Sequence, residues 1–234
     1  MKIDGPLHDA VFIKRLNRFL TLIDIGGKIF ESHLPDSGRL SELLIPGSEL
    51  KVRYIDTKLL KRKTSWTTLM VKKHKQWISI DSTLPNRFVK YLLEKKSLPQ
   101  FKDYELKRPE VVVGKHRFDF LLEKLGKPFY LEVKSVTFVE KSLARFPDAI
   151  TERGMKHANF LAQMSEKGNK AGILFVCQRS DAQSFRPMWN RDPKFSQALL
   201  LAEKAGVQIN VIVTKITPTS INYYKEISYD LEPF

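Results

Sequence analysis

His116-Arg117-Phe118-Asp119-Phe120-Leu121-Leu122 and Tyr130-Leu131-Glu132-Val133-Lys134-Ser135 put three charged side chains inside two otherwise apolar runs. Both runs read as strands, with Gly126-Lys127-Pro128 between them as a hairpin turn. A carboxylate in an apolar strand is costly unless a cation or a partner compensates it. Side chains two apart on a strand share a face, so Glu132 and Lys134 point one way and Val133 the other. A hairpin brings Asp119 beside Glu132. The result is a patch of two carboxylates and one ammonium. Two carboxylates with water and a phosphate oxygen make a hard-oxygen site for Mg²⁺ or Mn²⁺. Such an ion polarises a phosphoryl group and lowers the pKa of water, and Lys134 is placed to assist the water or to neutralise developing charge. The other reading of the pattern is a cross-strand ion pair on a solvated sheet face. Glu105 and Glu110 are candidates for a third carboxylate or plain surface acids.

Working outward, a mixed α/β pattern surrounds this hairpin. Helices are expected at Asn86–Lys96, after Pro85, at Thr151–Lys167 and at Pro193–Ala205. Strands are expected at Glu110–Val113, His116–Glu123, Phe129–Val139, Ala171–Cys177 and Val207–Thr214. The order α-β-β-β-α-β-α-β defines an α/β unit with a mixed sheet over residues 83–234. Residues 1–82 instead read as all-β: strands at Ala10–Ile13, Phe19–Ile23, Lys28–Leu34, Leu50–Ile55, Thr67–Val71 and Gln76–Ile80, with a turn at Gly26-Gly27. Short strands at this spacing suggest a small OB-like barrel. The basic runs Lys61-Arg62-Lys63 and Lys72-Lys73-His74-Lys75 fall at expected turns.

The 234 residues carry a net charge of +14. The excess is +6 over residues 1–82 and +8 over 83–234, so it is no detachable tail. A basic folded chain suits a polyanionic partner. No apolar run is long enough to span a membrane, and residues 1–17 lack the core of a secretory signal, so a cytoplasmic protein is expected. The single cysteine, Cys177, excludes an internal disulfide and a thiolate metal cluster; its apolar setting reads as burial.

A second unusual segment is Phe146-Pro147-Asp148-Ala149-Ile150-Thr151-Glu152-Arg153-Gly154-Met155-Lys156-His157. Asp148 or Thr151 can cap the helix that follows, with Met155, Ala158, Leu161 and Ala162 as its apolar stripe. Arg153, Lys156 and His157 offer a face for a phosphate backbone, or an ordinary charged helix face. Gly154 costs helix stability and signals close approach of another group. In the first half, the turn-rich His33-Leu34-Pro35-Asp36-Ser37-Gly38-Arg39-Leu40 presents Arg39 and Ser37 as phosphate contacts or is a simple turn. Trp66 and Trp77 can stack on bases or pack at the barrel rim.

These stretches, with Arg117–Leu122 and Leu131-Glu132-Val133-Lys134-Ser135-Val136-Thr137, closely resemble the sugar fermentation stimulation protein A (SfsA) family in order, spacing and length. The resemblance implies an OB-like N-terminal domain followed by a PD-(D/E)xK nuclease-like domain. In that superfamily Asp119 looks like the metal-binding Asp, and Glu132 and Lys134 like the paired acid and lysine. The Val133 carbonyl is then an expected extra ligand, and Arg117 joins the expected phosphate contacts. It also implies non-specific, backbone-dominated DNA binding, with RNA and oligomerisation left open, and a link to sugar (maltose) metabolism. Asp36 stands where the family usually carries Asn, and Lys115-His116 where Ser commonly precedes the Arg; neither touches the metal site.

Overall fold

The computed structural model describes residues 1–56 and 62–233. Period-two alternation builds the first half. β1 (His8–Asn17), β2 (Leu20–Ile25) and β3 (Lys28–His33) form an antiparallel meander. Gly26 and Gly27 join β2 to β3 with φ of 60° and 83°, the doubly left-handed turn that twisted hairpins favour. β4 (Glu49–Tyr54) pairs antiparallel with β1, and β5 (Trp66–Lys73) antiparallel with β4. A parallel contact of β3 with β5, Ser32 with Trp66 and His33 with Thr67, closes a five-stranded barrel in the order 1-2-3-5-4-1, which is the OB topology. β6 (Gln76–Ser79) extends β5 as a hairpin. The inward residues Phe12, Ile23, Leu50, Val52, Val71 and Ile78 fill the barrel.

The second half is a mixed sheet of order β15-β14-β12-β9-β8-β7. Its strands are β7 (Glu105–Val113), β8 (His116–Lys124), β9 (Lys127–Val136), β12 (Lys170–Cys177), β14 (Gln208–Thr217) and β15 (Ser220–Glu226). β12 lies between two parallel partners, β9 and β14, and every residue after Lys170 is buried. That explains its unbroken apolar run. One face carries α1 (Leu84–Glu94) over Phe120, Leu131, Val133 and Leu174. The other carries α2 (Glu152–Glu166) and α3 (Pro193–Lys204) over Phe118, Phe175 and Val211. Among the described residues no helix is long and apolar enough to cross a membrane.

Several boundaries differ from the sequence pattern, each for a local reason. The hairpin turn is Leu125-Gly126, with φ of 51° and 73°, and Lys127 already pairs with Lys124. Leucine is a rare occupant of that conformation, so Gly-Lys-Pro looked like the better turn. The expected strand Phe129–Val139 ends at Val136; Val139 starts β10 (Val139–Glu140), which with β11 (Leu143–Phe146), β13 (Ser184–Pro187) and β16 (Ser228–Tyr229) makes a small second sheet. Strands of two to four residues are too short to carry a period. β5 runs through Lys72 and Lys73, so the turn is confined to His74-Lys75. Arg62 and Lys63 precede β5, and Lys61 lies outside the described residues. The chain also begins away from the barrel: Lys2 bridges Ser220, and the Met1 ammonium donates to the Ile221 carbonyl at 2.8 Å.

The barrel is fastened to the mixed-sheet unit by its 34–40 loop. The Arg15 guanidinium donates to the carbonyls of Arg18, Asp36, Gly38 and Arg39, the shortest at 2.6 Å, and so fixes both the β1–β2 turn and this loop. The Leu40 N–H then donates to Asp148 Oδ2 at 2.7 Å across the joint.

Candidate metal and phosphate site

β8 and β9 pair from Lys124 with Lys127 up to Phe120 with Leu131, and then separate. The next N–H on β9, that of Val133, donates to the Asp119 carboxylate (Oδ2) at 2.7 Å rather than to a backbone carbonyl. Since N–H and C=O of a strand residue point to the same side, the Val133 carbonyl faces the opening between the strands. Asn86 Nδ2, from the first turn of α1, holds the other Asp119 oxygen at 2.6 Å. Burial first, then the Glu132 charge, pushes the Asp119 pKa up to about 6 against these donors and Lys134.

Glu132 is buried. Its Oε1 accepts from Lys134 Nζ at 2.5 Å and from His157 Nδ1 at 2.7 Å, while Oε2 has no partner. Burial alone would raise its pKa, but Lys134 and His157 outweigh it and hold Glu132 below the usual carboxylate range. An ionised carboxylate with one buried, unbonded oxygen costs several kcal/mol unless a cation completes it. Glu132, Asp119 and the Val133 carbonyl are the groups that could hold a divalent ion here. Among the described residues no third His, Cys, Asp or Glu joins the pair. So small a protein donor set leaves coordination positions for water and phosphate oxygens.

The structure brings Asp119, Glu132 and Lys134 together at a cleft of about 510 Å³, with Arg117 and Arg153 on its walls. Arg39 and Lys156 are exposed but lie off the cleft. His157 corrects the sequence expectation: it is 5% exposed and cannot meet a phosphate backbone. With Gly154, Ala158 and Leu161 it forms the buried stripe of α2 at spacing i, i+3, i+4, i+7, so periodicity already placed it inward. There it orients Glu132 and packs edge-on to Phe118 and His116. Glu110 lines the cleft, 3.9 Å from Arg117, whereas Glu105 pairs with Lys107 elsewhere. Trp66 sits half-buried among His8, Phe30 and Tyr54; Trp77 lies under Lys51 and Lys72. Cys177 is fully buried, its thiol pushed up to about 12 by burial. Asn86 had no sequence signal, because its role depends on α1 packing over β8.

Thr151 caps α2 by accepting the Gly154 N–H at 3.1 Å. A Cβ on Gly154 would lie 2.8 Å from Thr151 Cγ2 and 3.2 Å from Phe195 Cδ2. Gly154→Ala should therefore destabilise by about 1–3 kcal/mol through overpacking, although Ala is about 1 kcal/mol better in a helix interior. Urea unfolding measures the sign; a stabilised variant would contradict the close packing.

An OB barrel followed by a mixed-sheet domain with an Asp…Glu-x-Lys cleft defines a class of two-domain proteins. Residues 13–80 match the SfsA N-terminal OB domain, and residues 83–220 the sugar fermentation stimulation protein RE domain. The chain belongs to the sugar fermentation stimulation protein (SfsA) family. It is 42% identical over 217 residues to the homolog of Acetivibrio thermocellus, covering 92% of both chains. It is 39% identical over 232 residues to that of Clostridium botulinum, covering 99% of this chain and 100% of the other. The solved structure of Pyrococcus furiosus SfsA in complex with Ca²⁺ superposes with a TM-score of 0.89 at 28% identity, covering 98% of each chain.

Proposed function

We propose that the protein binds DNA through its phosphate backbone and hydrolyses phosphodiester bonds at Asp119, Glu132 and Lys134 with Mg²⁺ or Mn²⁺. The observation that carries this reading is the buried, unpartnered Glu132 Oε2 beside Asp119 in a cleft that Arg117 and Arg153 also line. The Pyrococcus furiosus relative solved in complex with Ca²⁺ supports a divalent ion. Asp119, Glu132 and the Val133 carbonyl would hold the ion. When bound it supplies phosphoryl polarisation and a lowered water pKa. Asn86 and the Val133 N–H keep Asp119 aimed, and His157 keeps Glu132 aimed. Lys134 places its ammonium at the carboxylate that borders the reacting phosphate and neutralises charge developing there. Arg117 and Arg153 hold the phosphate.

Backbone-dominated binding implies steep salt dependence and little sequence preference. The division between barrel and nuclease-like unit falls at Ser82–Thr83, and the chain works in the cytoplasm. The test is cleavage of supercoiled plasmid and of single-stranded circular DNA with Mg²⁺, Mn²⁺ or EDTA, beside gel retardation of both. Cleavage that needs the ion, with retardation that does not, is the expected result. Retardation without cleavage under any ion would instead favour a non-catalytic DNA-binding regulator of sugar (maltose) metabolism. No retardation at low salt would end both readings.

A further inference from the structure

Three arginines line the cleft with no partner for their side chains among the described residues: Arg18 from the barrel, Arg145 from β11 and Arg153 from α2. Elsewhere Arg87, Arg179 and Arg191 are paired with Asp81, Asp181 and Asp148. The Arg145 Nε is buried without any hydrogen-bond partner. The described residues thus supply no acceptor for the Arg145 guanidinium, which stands at the wall of a polar cleft. Arginine forks match phosphate geometry. Arg18 is also held in place, because Arg15 grips its carbonyl at 2.6 Å and ties that turn to the 36–39 loop.

The walls of the cleft come from both halves of the molecule. Arg18, Ser37 and Gly38 stand on the barrel side, and Arg145, Pro147 and Ile150 belong to the mixed-sheet unit. A volume of about 510 Å³ falls in the roughly 300–1,000 Å³ range of small-ligand pockets. Duplex DNA is a stiff helix that can only lie across the mouth of such a pocket, whereas an unpaired strand bends into it. One or two unpaired nucleotides fit such a space, and the net charge of +14 favours a polyanion over a single nucleotide.

We propose that the cleft takes an unpaired nucleic-acid strand, and that Arg18 and Arg145 hold a phosphate flanking the one at Asp119 and Glu132. The inference rests on the phosphodiester reading of that site and adds the substrate class and two binding residues. The strand runs between barrel and sheet, so the barrel forms part of the site.

Fluorescence anisotropy in EDTA, with a labelled oligothymidylate and a labelled duplex of equal length, tests this across a salt series. The parent should bind the single strand more tightly. Arg18→Ala and Arg145→Met should each weaken that binding by about tenfold and reduce the salt slope by about 0.7. Arg145→Lys should recover only part of the loss. Arg18 is exposed and unpaired, so its replacement should leave the melting temperature unchanged. Parental affinity in Arg18→Ala, or tighter binding of the duplex, overturns the proposal. So does displacement of the oligonucleotide by thymidine monophosphate at matched concentration. If the parent binds neither probe, the underlying phosphodiester reading fails instead.

Discussion

At pH 8 without divalent ions, Asp119→Asn should melt about 5–10 °C above the parent, and it should lose cleavage by about 10³-fold or more. Both results have one cause. The folded protein holds the Asp119 carboxyl at about 6, chiefly through burial and then through the Glu132 charge, whereas an unfolded Asp titrates near ~3.9. The sign follows from linkage: the fold binds this proton more tightly than the unfolded chain does. The Asp119 contribution to stability therefore falls as pH rises from about 4 to about 6, then stays low. The difference amounts to about 3 kcal/mol at one pKa unit per ~1.4 kcal/mol. Asparagine keeps an acceptor for the Val133 N–H and carries no charge, and its NH2 is satisfied once the Asn86 amide turns over to present Oδ1, so the penalty disappears. At pH 4 and below, parent and variant should melt together. A divalent ion should raise the parent's melting temperature at pH 8 and do so progressively less below pH 6, where protons compete for Asp119. It should leave Asp119→Asn unmoved. Equal melting of the two proteins at pH 8 would show that Asp119 carries no stored electrostatic cost.

That cost was legible in the sequence as an acid in an apolar strand, and so was the shared face of Glu132 and Lys134, because strand periodicity fixes direction over two residues. The OB barrel was legible from turns and alternation, with one addition that pattern cannot supply: the β3–β5 contact that closes it is tertiary. His157 was misplaced because a titratable side chain was read as a surface group, although its spacing from Gly154 and Leu161 put it on the buried stripe. Asn86, Arg18 and Arg145 were silent for a different reason. Their importance comes from chain segments more than 30 residues apart meeting at one cleft, as Asn86 meets Asp119. The small second sheet and the Met1–Lys2 contact with β15 were invisible because elements this short have no period and are held by their neighbours.

The joint between the two halves should prove as sensitive as the site. Asp148 is 9% exposed, accepts the N–H of fully buried Leu40 at 2.7 Å and pairs with Arg191 at 2.8 Å. Asp148→Ala strips the carboxylate from both groups at once, leaving the buried Leu40 N–H unpaired and Arg191 with only the residue-148 carbonyl. The expected loss is about 3–5 kcal/mol, seen as a fall of about 10 °C in melting temperature. Asp148→Asn keeps one acceptor for Leu40 and loses the ion pair and side-chain hydrogen bond to Arg191, which retains the residue-148 carbonyl, so its loss should stay near about 1–2 kcal/mol. Hydrogen exchange locates the damage: the Leu40 amide should exchange faster in the alanine variant while the β12 amides keep their protection. Equal losses in the two variants would mean that the charge, not the acceptor, holds the joint. The consequence reaches the chemistry. Asp36, Ser37 and Gly38 line the cleft immediately before Leu40, and Asp36 is itself buried with its pKa raised to about 6. Freeing Leu40 releases that wall, so Asp148→Ala should weaken single-strand binding even at temperatures where the protein remains folded.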